Sequence, residues 1–213
     1  LFHVSGITPV LSEDAKELTF TALKKAREHH VTVSFDLNYR SKLWTSDIEG
    51  KQKMLSEMME YVDICFGNAR DAAKCLGHTE NGIDFIDGEY NICVDEKPMR
   101  NVLNRYHFPH LITTLRNSIS ASDNGWSGAV CTADDYYKGR DYNLHIVDRV
   151  GGGDSFASGF LHGILADMGS RKALEFGLAA AAIKHTIPGD LNYITDSEVL
   201  SMIESDGAGR VQR

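Results

Sequence analysis

Toward the carboxyl end the chain reads Gly151-Gly152-Gly153-Asp154, where a strand-like run passes into a helix-like one. Glycine lets the backbone come close to a ligand. The first N–H groups of a helix have no acceptor inside it. Together with the dipole, roughly half a positive charge, they make an anion hole. A carboxylate beside such a hole would be repelled by a phosphate held there. Asp154 makes sense in that place if it takes a proton from a hydroxyl that attacks the phosphorus. The hole would then steady the charge building on the transferred group. The same four residues also fit a simple glycine turn with Asp as a helix cap. They are not the phosphate loop GxxxxGK[ST], since no Lys follows, nor a GxGxxG after an opening strand.

The elements that must hold these residues follow from periodicity. Short apolar runs alternate with amphipathic stretches, the rhythm of a parallel sheet with helical crossovers. Leu1 to Val4 is predicted as a strand. Ser12 is predicted to cap a helix with Glu13 and Asp14 in its first turn and with Ala15, Leu18, Ala22 and Ala26 on its apolar face. A strand over 31–35 ends in Asp36-Leu-Asn38-Tyr-Arg40. Residues 47–61 form a helix whose Met54, Leu55, Met58, Met59 and Val62 read as core. Strand 64–66 leads through Gly67-Asn68 into a helix over 69–76 that Gly77 stops. Residues 78–93 read as a loop or insertion and 95–107 as helix, followed by a buried strand over 111–115. Asp123-Asn-Gly125 is predicted as a hairpin turn, with antiparallel strands over 128–131, 136–137 and 142–147. The glycine run is predicted to give way to a helix at Ser155, and a small-residue helix spans 171–185. Thr195-Asp-Ser-Glu198 is a capping box for a last helix. No linker interrupts the pattern, so residues 1–213 are expected to form a single domain.

Composition narrows the classes. The chain has 213 residues, 42 % apolar and 24 % charged, which suits a globular core rather than disorder. Its 22 Lys and Arg against 30 Asp and Glu give a net charge of −8, which argues against nonspecific nucleic-acid binding. No run of about 18 apolar residues suggests a membrane span. The cysteines, Cys65, Cys75, Cys93 and Cys131, form no CxxC and read as buried thiols of a reducing cytosol. His29-His30 and His107-x-x-His110 have no acidic or Cys partner at metal spacing. The chain opens Leu1-Phe2-His3-Val4 with no Met, apolar from its first residue. Natural termini are usually polar and loosely held, so an N-terminal portion is expected to be missing.

The residues around the glycine run extend the pattern. Asp148-Arg-Val-Gly-Gly-Gly-Asp-Ser-Phe-Ala-Ser-Gly-Phe resembles the D-x-x-G-x-G-D-x-F-x-x-G-F signature of the ribokinase-like (pfkB) sugar kinases. Asp36-Leu-Asn38-Tyr-Arg40-Ser-Lys-Leu-Trp44 resembles their sugar-facing D-x-N-x-R-x-x-L-W segment. Asn68-Ala-Arg-Asp71 resembles their N-x-x-E motif, with Asp in place of the usual Glu. The D-x-N-Y-R-x-x-L-W form and the Thr114-Leu-Arg116 stretch look most like the 2-keto-3-deoxygluconate kinases of that family. The resemblance implies an α/β fold, a largely parallel sheet flanked by helices, with most of the lid half absent. Nothing in residues 1–30 matches the family's Gly-Gly sugar motif.

The resemblance also implies roles. Asp154 would be the general base and Gly151, Gly152 and Gly153 the anion hole. Arg40 would hold the carboxylate of a sugar acid, for which its guanidinium fork is suited, with Asn38 and Asp190 also on the substrate. Asn68, Thr114 and Arg116 would serve ATP, and Asp71 would act near Mg²⁺. Plainer readings stand beside these. Arg40 and Arg116 could make surface ion pairs, Asn68 could be a helix cap, and Asp71 could serve only the dipole. The implied ligands are a sugar acid, ATP and Mg²⁺, with no nucleic acid or membrane, a cytoplasmic location and a possible homo-oligomer of the longer protein. The implied reaction is ATP-dependent phosphorylation of 2-keto-3-deoxygluconate. Fructose, ribose or a deoxy-inositol acid are alternative substrates, and a nucleotide-binding but inactive fragment is the rival reading.

Overall fold

A computed structural model describes residues 1–77, 95–120 and 122–205. The loop expected over 78–93, with Cys93, lies outside the described residues. The chain groups into two compact units, Leu1–Thr113 with Cys131–Tyr136, and Thr114–Val130 with Tyr137–Arg213.

The first unit is built on parallel strands. β1 (Phe2–Ser5), β2 (Val33–Asp36) and β3 (Ile64–Phe66) pair in that order, and β4 (His110–Ser118) adds to β3. Phe2 faces Val33, Ser34 faces Ile64, and Ile64 faces His110. Sheets of this kind are covered on both faces, so their strands read as nearly continuous apolar runs. Val33, Phe35, Ile64, Cys65 and Phe66 are all buried, and the buried hydroxyl of Ser34 is matched by His3 Nδ1 at 2.9 Å. The helices of this unit are α1 (Glu13–Glu28), α2 (Ile48–Met58), α3 (Ala69–Leu76) and α4 (Glu96–Tyr106). The Met54, Leu55, Met58, Met59 and Val62 stripe is buried as expected, and so is Trp44.

Helix α1 corrects one expectation. Ser12 does cap it, its hydroxyl accepting from the Ala15 N–H. The buried face, however, is Thr19, Leu23 and Ala26, while Leu18 is 67 % exposed. Ala26 is common to both faces and only Leu18 falls outside, so the stripe is turned toward Thr19 and Leu23 by less than the roughly 100° step of one helical residue. Thr19 disguised it. Its hydroxyl donates to the Ala15 carbonyl at 2.7 Å, so a polar residue sits in the core without an unmet hydrogen bond.

In the second unit β5 (Asp123–Cys131) is bonded to the end of β4, to β6 (Tyr136–Lys138) and to β7 (Tyr142–His145). Here the expected Asp123-Asn-Gly125 turn is also corrected. These residues are strand, with Asp123 opposite His145 and Trp126 opposite Tyr142 in an antiparallel ladder. The reversal comes earlier: the Ile119 and Ser120 N–H groups donate to the Asp123 carbonyl at 3.0 and 2.9 Å. The ladder wins because it pairs the backbone of 123–126 with β7 and buries Trp126 and Tyr142, each 4 % exposed; the Asp123 carboxylate also meets His145 Nδ1 at 2.9 Å.

Three helices complete this unit: α5 (Gly152–Leu165), α6 (Ser170–Lys184) and α7 (Asp196–Glu204). α5 and α6 touch backbone to backbone. A Cβ on Gly159 would lie 2.9 Å from Gly177 Cα, and one on Gly163 would lie 2.7 Å from Ala173 Cα. Such close contact fixes the direction of α5 and therefore where its N-terminus points. The predicted capping box starts α7, with the Thr195 N–H donating to Glu198 Oε2 at 2.8 Å. Among the described residues no helix is long and apolar enough to cross a membrane.

Candidate active site

The glycine run is the mouth of α5. The helix starts at Gly152, not at Ser155 as expected, with Gly151 as its cap at φ 74° and ψ 0°. That left-handed conformation disfavours a side chain. Space disfavours it too: a Cβ on Gly151 would stand 2.4 Å from the Asp190 carbonyl oxygen, and one on Gly152 would stand 2.6 Å from His185 Cε1. Gly153 differs, since nothing lies within 4 Å of its Cβ position. One side of the turn is therefore packed and the other is open.

The open side carries unmet donors. The Ser155 N–H closes the first helical turn on the Gly151 carbonyl at 2.8 Å, and the Gly152 N–H makes only a long 3.4 Å contact to the Arg149 carbonyl. The N–H groups of Gly153 and Asp154 have no acceptor among the described residues. Asp154 is exposed, and its carboxylate has no hydrogen-bond or ion-pair partner among them. Two free amides at the positive end of a helix, next to a free carboxylate, are the arrangement that proton abstraction beside an anion requires.

The expected contacts of this region are partly extended by residues that sequence reasoning left without a role. Asp148 bridges two loops. Its Oδ1 accepts from the Val150 N–H at 3.0 Å and its Oδ2 from the Gly189 N–H at 2.8 Å. These two donors hold its carboxyl below the usual carboxylate range. Asp190 is thereby carried onto Gly151. Asn192, two residues on, donates to Ser155 Oγ and to the Ala180 carbonyl, at 3.2 Å for the latter. Asp148 opens the signature motif, and that was the available signal.

His185 is fully buried behind Gly152. Its Nδ1–H donates to the Ala181 carbonyl at 2.6 Å, so Nε2 carries the lone pair, and Nε2 has no partner. Burial, and then the nearby Arg116, Lys184 and Arg149 charges, push this imidazole below its ordinary value of 6.5, against the pull of its bond to Ala181. The sign of the pH effect follows. Above 6.5 the ring is neutral folded or unfolded, and stability is full. Below 6.5 the unfolded chain takes up a proton that the folded chain refuses, so stability falls with falling pH. The unfolding midpoint is expected to drop between about pH 7 and pH 5, and His185→Gln is expected to flatten that slope. A slope identical in the variant would contradict this account of His185.

Thr114 and Arg116 lie on β4, partly buried. Burial and then Arg149 lower the affinity of the Arg116 guanidinium for its proton. The structure thus gathers the Arg116 and Arg149 charges and His185 in the unit that holds the α5 mouth.

The remaining expected residues belong to the first unit. Asn38 is left-handed, φ 45°. Its N–H donates to Asp36 Oδ1 and its Nδ2 to Ser5 Oγ, both at 3.0 Å, which ties the ends of β2 and β1 together. Arg40 is exposed, and its NH1 donates to the carbonyl of Tyr39 at 3.0 Å. Tyr39 leans on Trp44 at 5.6 Å between ring centroids, with Lys74 Nζ 4.8 Å from its own centroid. Asn68 caps α3 in a reciprocal box: its Oδ1 accepts from the Asp71 N–H at 2.9 Å, while Asp71 Oδ2 accepts from the Asn68 N–H at 3.1 Å. The capping reading of Asn68 is therefore realised. Burial pushes the Asp71 carboxyl up, against the pull of that N–H and of the Arg70, Lys74 and Arg40 charges.

The α/β fold, with its largely parallel sheet and flanking helices, is of the ribokinase-like class. It is shared with a ribokinase II structure of E. coli at a TM-score of 0.74 and 18 % identity. Within that class the chain belongs to the pfkB family of carbohydrate kinases, which it matches over residues 1–195. It is 31 % identical over 208 residues to a 2-dehydro-3-deoxygalactonokinase of Haloferax volcanii, covering 98 % of this chain and 58 % of that protein. It is 28 % identical over 211 residues to a 5-dehydro-2-deoxygluconokinase of Halalkalibacterium halodurans, covering 97 % and 56 %. The structure of a 2-dehydro-3-deoxygluconokinase from Thermotoga maritima superposes with a TM-score of 0.85 at 41 % identity, over 95 % of this chain and 59 % of that one. The chain thus spans under two thirds of the length of each of these relatives.

Proposed function

We propose that the protein carrying this chain phosphorylates a sugar acid from ATP, with 2-keto-3-deoxy-D-gluconate as substrate and its 6-phosphate as product. The observation that carries this reading is the pairing of the acceptor-free amides of Gly153 and Asp154 with the unpartnered Asp154 carboxylate at one helix mouth. The relatives named for keto-deoxy sugar acids support the substrate class.

In this reaction the Asp154 carboxylate takes the proton of the primary hydroxyl. The freed oxygen forms a bond to the γ-phosphorus of ATP, the bond to the β-phosphate oxygen breaks, and ADP leaves. The amides of the α5 mouth hold the equatorial oxygens as charge spreads over them. Arg40 holds the substrate carboxylate with its fork, and Asn38 and Asp190 hold the sugar. Thr114, Arg116 and Asn68 serve the nucleotide. Mg²⁺ needs only one or two protein carboxylates when phosphates and water complete its shell, and it would neutralise phosphate charge. Asp71 fits such a role with the one oxygen that does not accept from the Asn68 N–H.

Arg40→Ala is expected to raise KM for the keto acid about tenfold or more, the loss of a charge-assisted pair, with a smaller effect on a neutral sugar. Equal effects on both would mean that Arg40 does not read the carboxylate. A substrate panel with coupled ADP detection tests the reaction itself. 2-Keto-3-deoxygluconate should give the highest kcat/KM. The relative named for 5-dehydro-2-deoxygluconate favours that acid as the second reading, and a preference for it in the panel would replace the first.

A further inference from the structure

Lys184, the last residue of α6, is fully buried, 0 % exposed. Burying an ammonium is costly unless its charge is used. Among the described residues no carboxylate lies within ion-pair reach of it, and its single hydrogen bond goes from Nζ to the carbonyl of Ile187 at 3.0 Å. That carbonyl belongs to the turn that runs into Gly189 and Asp190. The Gly189 N–H is held by Asp148 Oδ2 at 2.8 Å, and the other oxygen of the same carboxylate holds the Val150 N–H at 3.0 Å. Asp190 in turn abuts Gly151, the cap of α5. The Asp148 N–H and the Val147 N–H both donate to the carbonyl of His185, the residue after Lys184. A chain of contacts thus runs from the ammonium to the glycine mouth on both sides of the loop.

We propose that Lys184 is a positioning residue for the anion hole: its ammonium fixes the 187–190 turn and, through Asp148, the loop that ends in Gly151. The inference rests on the reading of that mouth as a phosphate site and names what holds it in shape. The charge matters as well as the bond. After the Val150 and Gly189 amides, the Lys184 charge also helps to hold the Asp148 carboxyl below the usual carboxylate range. With the cation removed, the carboxylate has less reason to stay, and the Val150 and Gly189 amides lose their common anchor. The helix mouth would then be present but loosely aimed.

The test compares the chain with its Lys184→Met and Lys184→Arg variants. Calorimetry measures affinity for the magnesium complex of a non-hydrolysable ATP analogue and for adenosine, and amide exchange follows Gly189 and Val150. Lys184→Met is expected to weaken the analogue about tenfold, the scale of a lost charge-assisted hydrogen bond, and to leave adenosine within about twofold. Gly189 exchange should speed up by about tenfold, and Lys184→Arg should recover most of both losses. A role confined to stability would lower the unfolding midpoint and weaken the two ligands alike, or not at all, and would overturn the proposal. Should Lys184→Met fail to fold, Asp148→Asn removes the opposing charge with little change of shape, and the same pattern is expected of it. If the unsubstituted chain binds neither ligand, the kinase reading falls. The exchange of Gly189 and Val150 then decides the role of Lys184 alone, with unchanged rates refuting it.

Discussion

Asp154→Asn is expected to lower kcat by roughly 10²–10⁴-fold, the usual share of a general base, while the affinity for nucleotide stays close to its original value. The substitution keeps the shape of the side chain and the helix that carries it. It removes only the ability to take a proton. Asp154 is exposed and makes no ion pair among the described residues, so its loss should not cost fold stability. It could even favour bound phosphate, since a negative neighbour at the hole is gone. The measurement is steady-state turnover beside calorimetry with nucleotide. Turnover like that of the unsubstituted protein would remove Asp154 from the chemistry.

The second large effect separates two neighbouring glycines. Gly151→Ala places a Cβ 2.4 Å from the Asp190 backbone oxygen at a residue with φ 74°. A left-handed side chain and a backbone collision together should cost about 2–4 kcal/mol of stability. The phosphate site should be lost with it, because the cap of α5 must move. Gly153→Ala meets nothing within 4 Å and replaces a glycine inside a helix, which by propensity is neutral or slightly favourable. The fold should keep its unfolding midpoint. The new methyl, however, adds bulk on the open side of the residue whose amide is free, so affinity for phosphate-bearing ligands should fall while affinity for adenosine does not. Equilibrium unfolding with paired titrations reads both. If Gly153→Ala bound nucleotide as before, the anion would have to lie elsewhere.

Much of the architecture could be read from residue types. Periods of two and of about 3.6, with caps at Ser12, Asn68 and Thr195, placed α1, α3, α7 and strands β1 to β3 to within two residues, because those signals are local, while β4, β5 and α5 extend beyond their expected bounds by three residues or more. The buried face of α1 departs from its apolar pattern because Thr19, a polar residue, reaches the core by satisfying its hydroxyl on its own helix. The Asp123-Asn-Gly125 segment is strand rather than turn because a cross-strand ladder to β7 outweighs its turn chemistry. The start of α5 moved to Gly152 because glycine, a weak helix former, is held there by His185 and Asp190 from outside the helix. Such tertiary contacts leave no local trace.

The candidate site shows the same division. The glycine run and Asp154 stand out in the sequence as a motif with a physical purpose. Asp148 opens the motif itself, but Lys184 and His185, which pack behind it, are ordinary in type and distant in number. Only their burial and hydrogen bonds single them out. Asn68 and Asp71 carry a double meaning. The capping box they form is a complete local explanation of their types and spacing, and any nucleotide role is added to it.

On the proposed function the mouth of α5 receives the phosphates of a nucleotide. Backbone ¹⁵N–¹H spectra of this chain, recorded during titration with the magnesium complex of a non-hydrolysable ATP analogue and separately with adenosine, address it residue by residue. The Gly152, Gly153 and Asp154 amides are expected to shift with the analogue and to stay still with adenosine. Saturable binding of the analogue with those three amides unmoved would contradict this role of the α5 mouth.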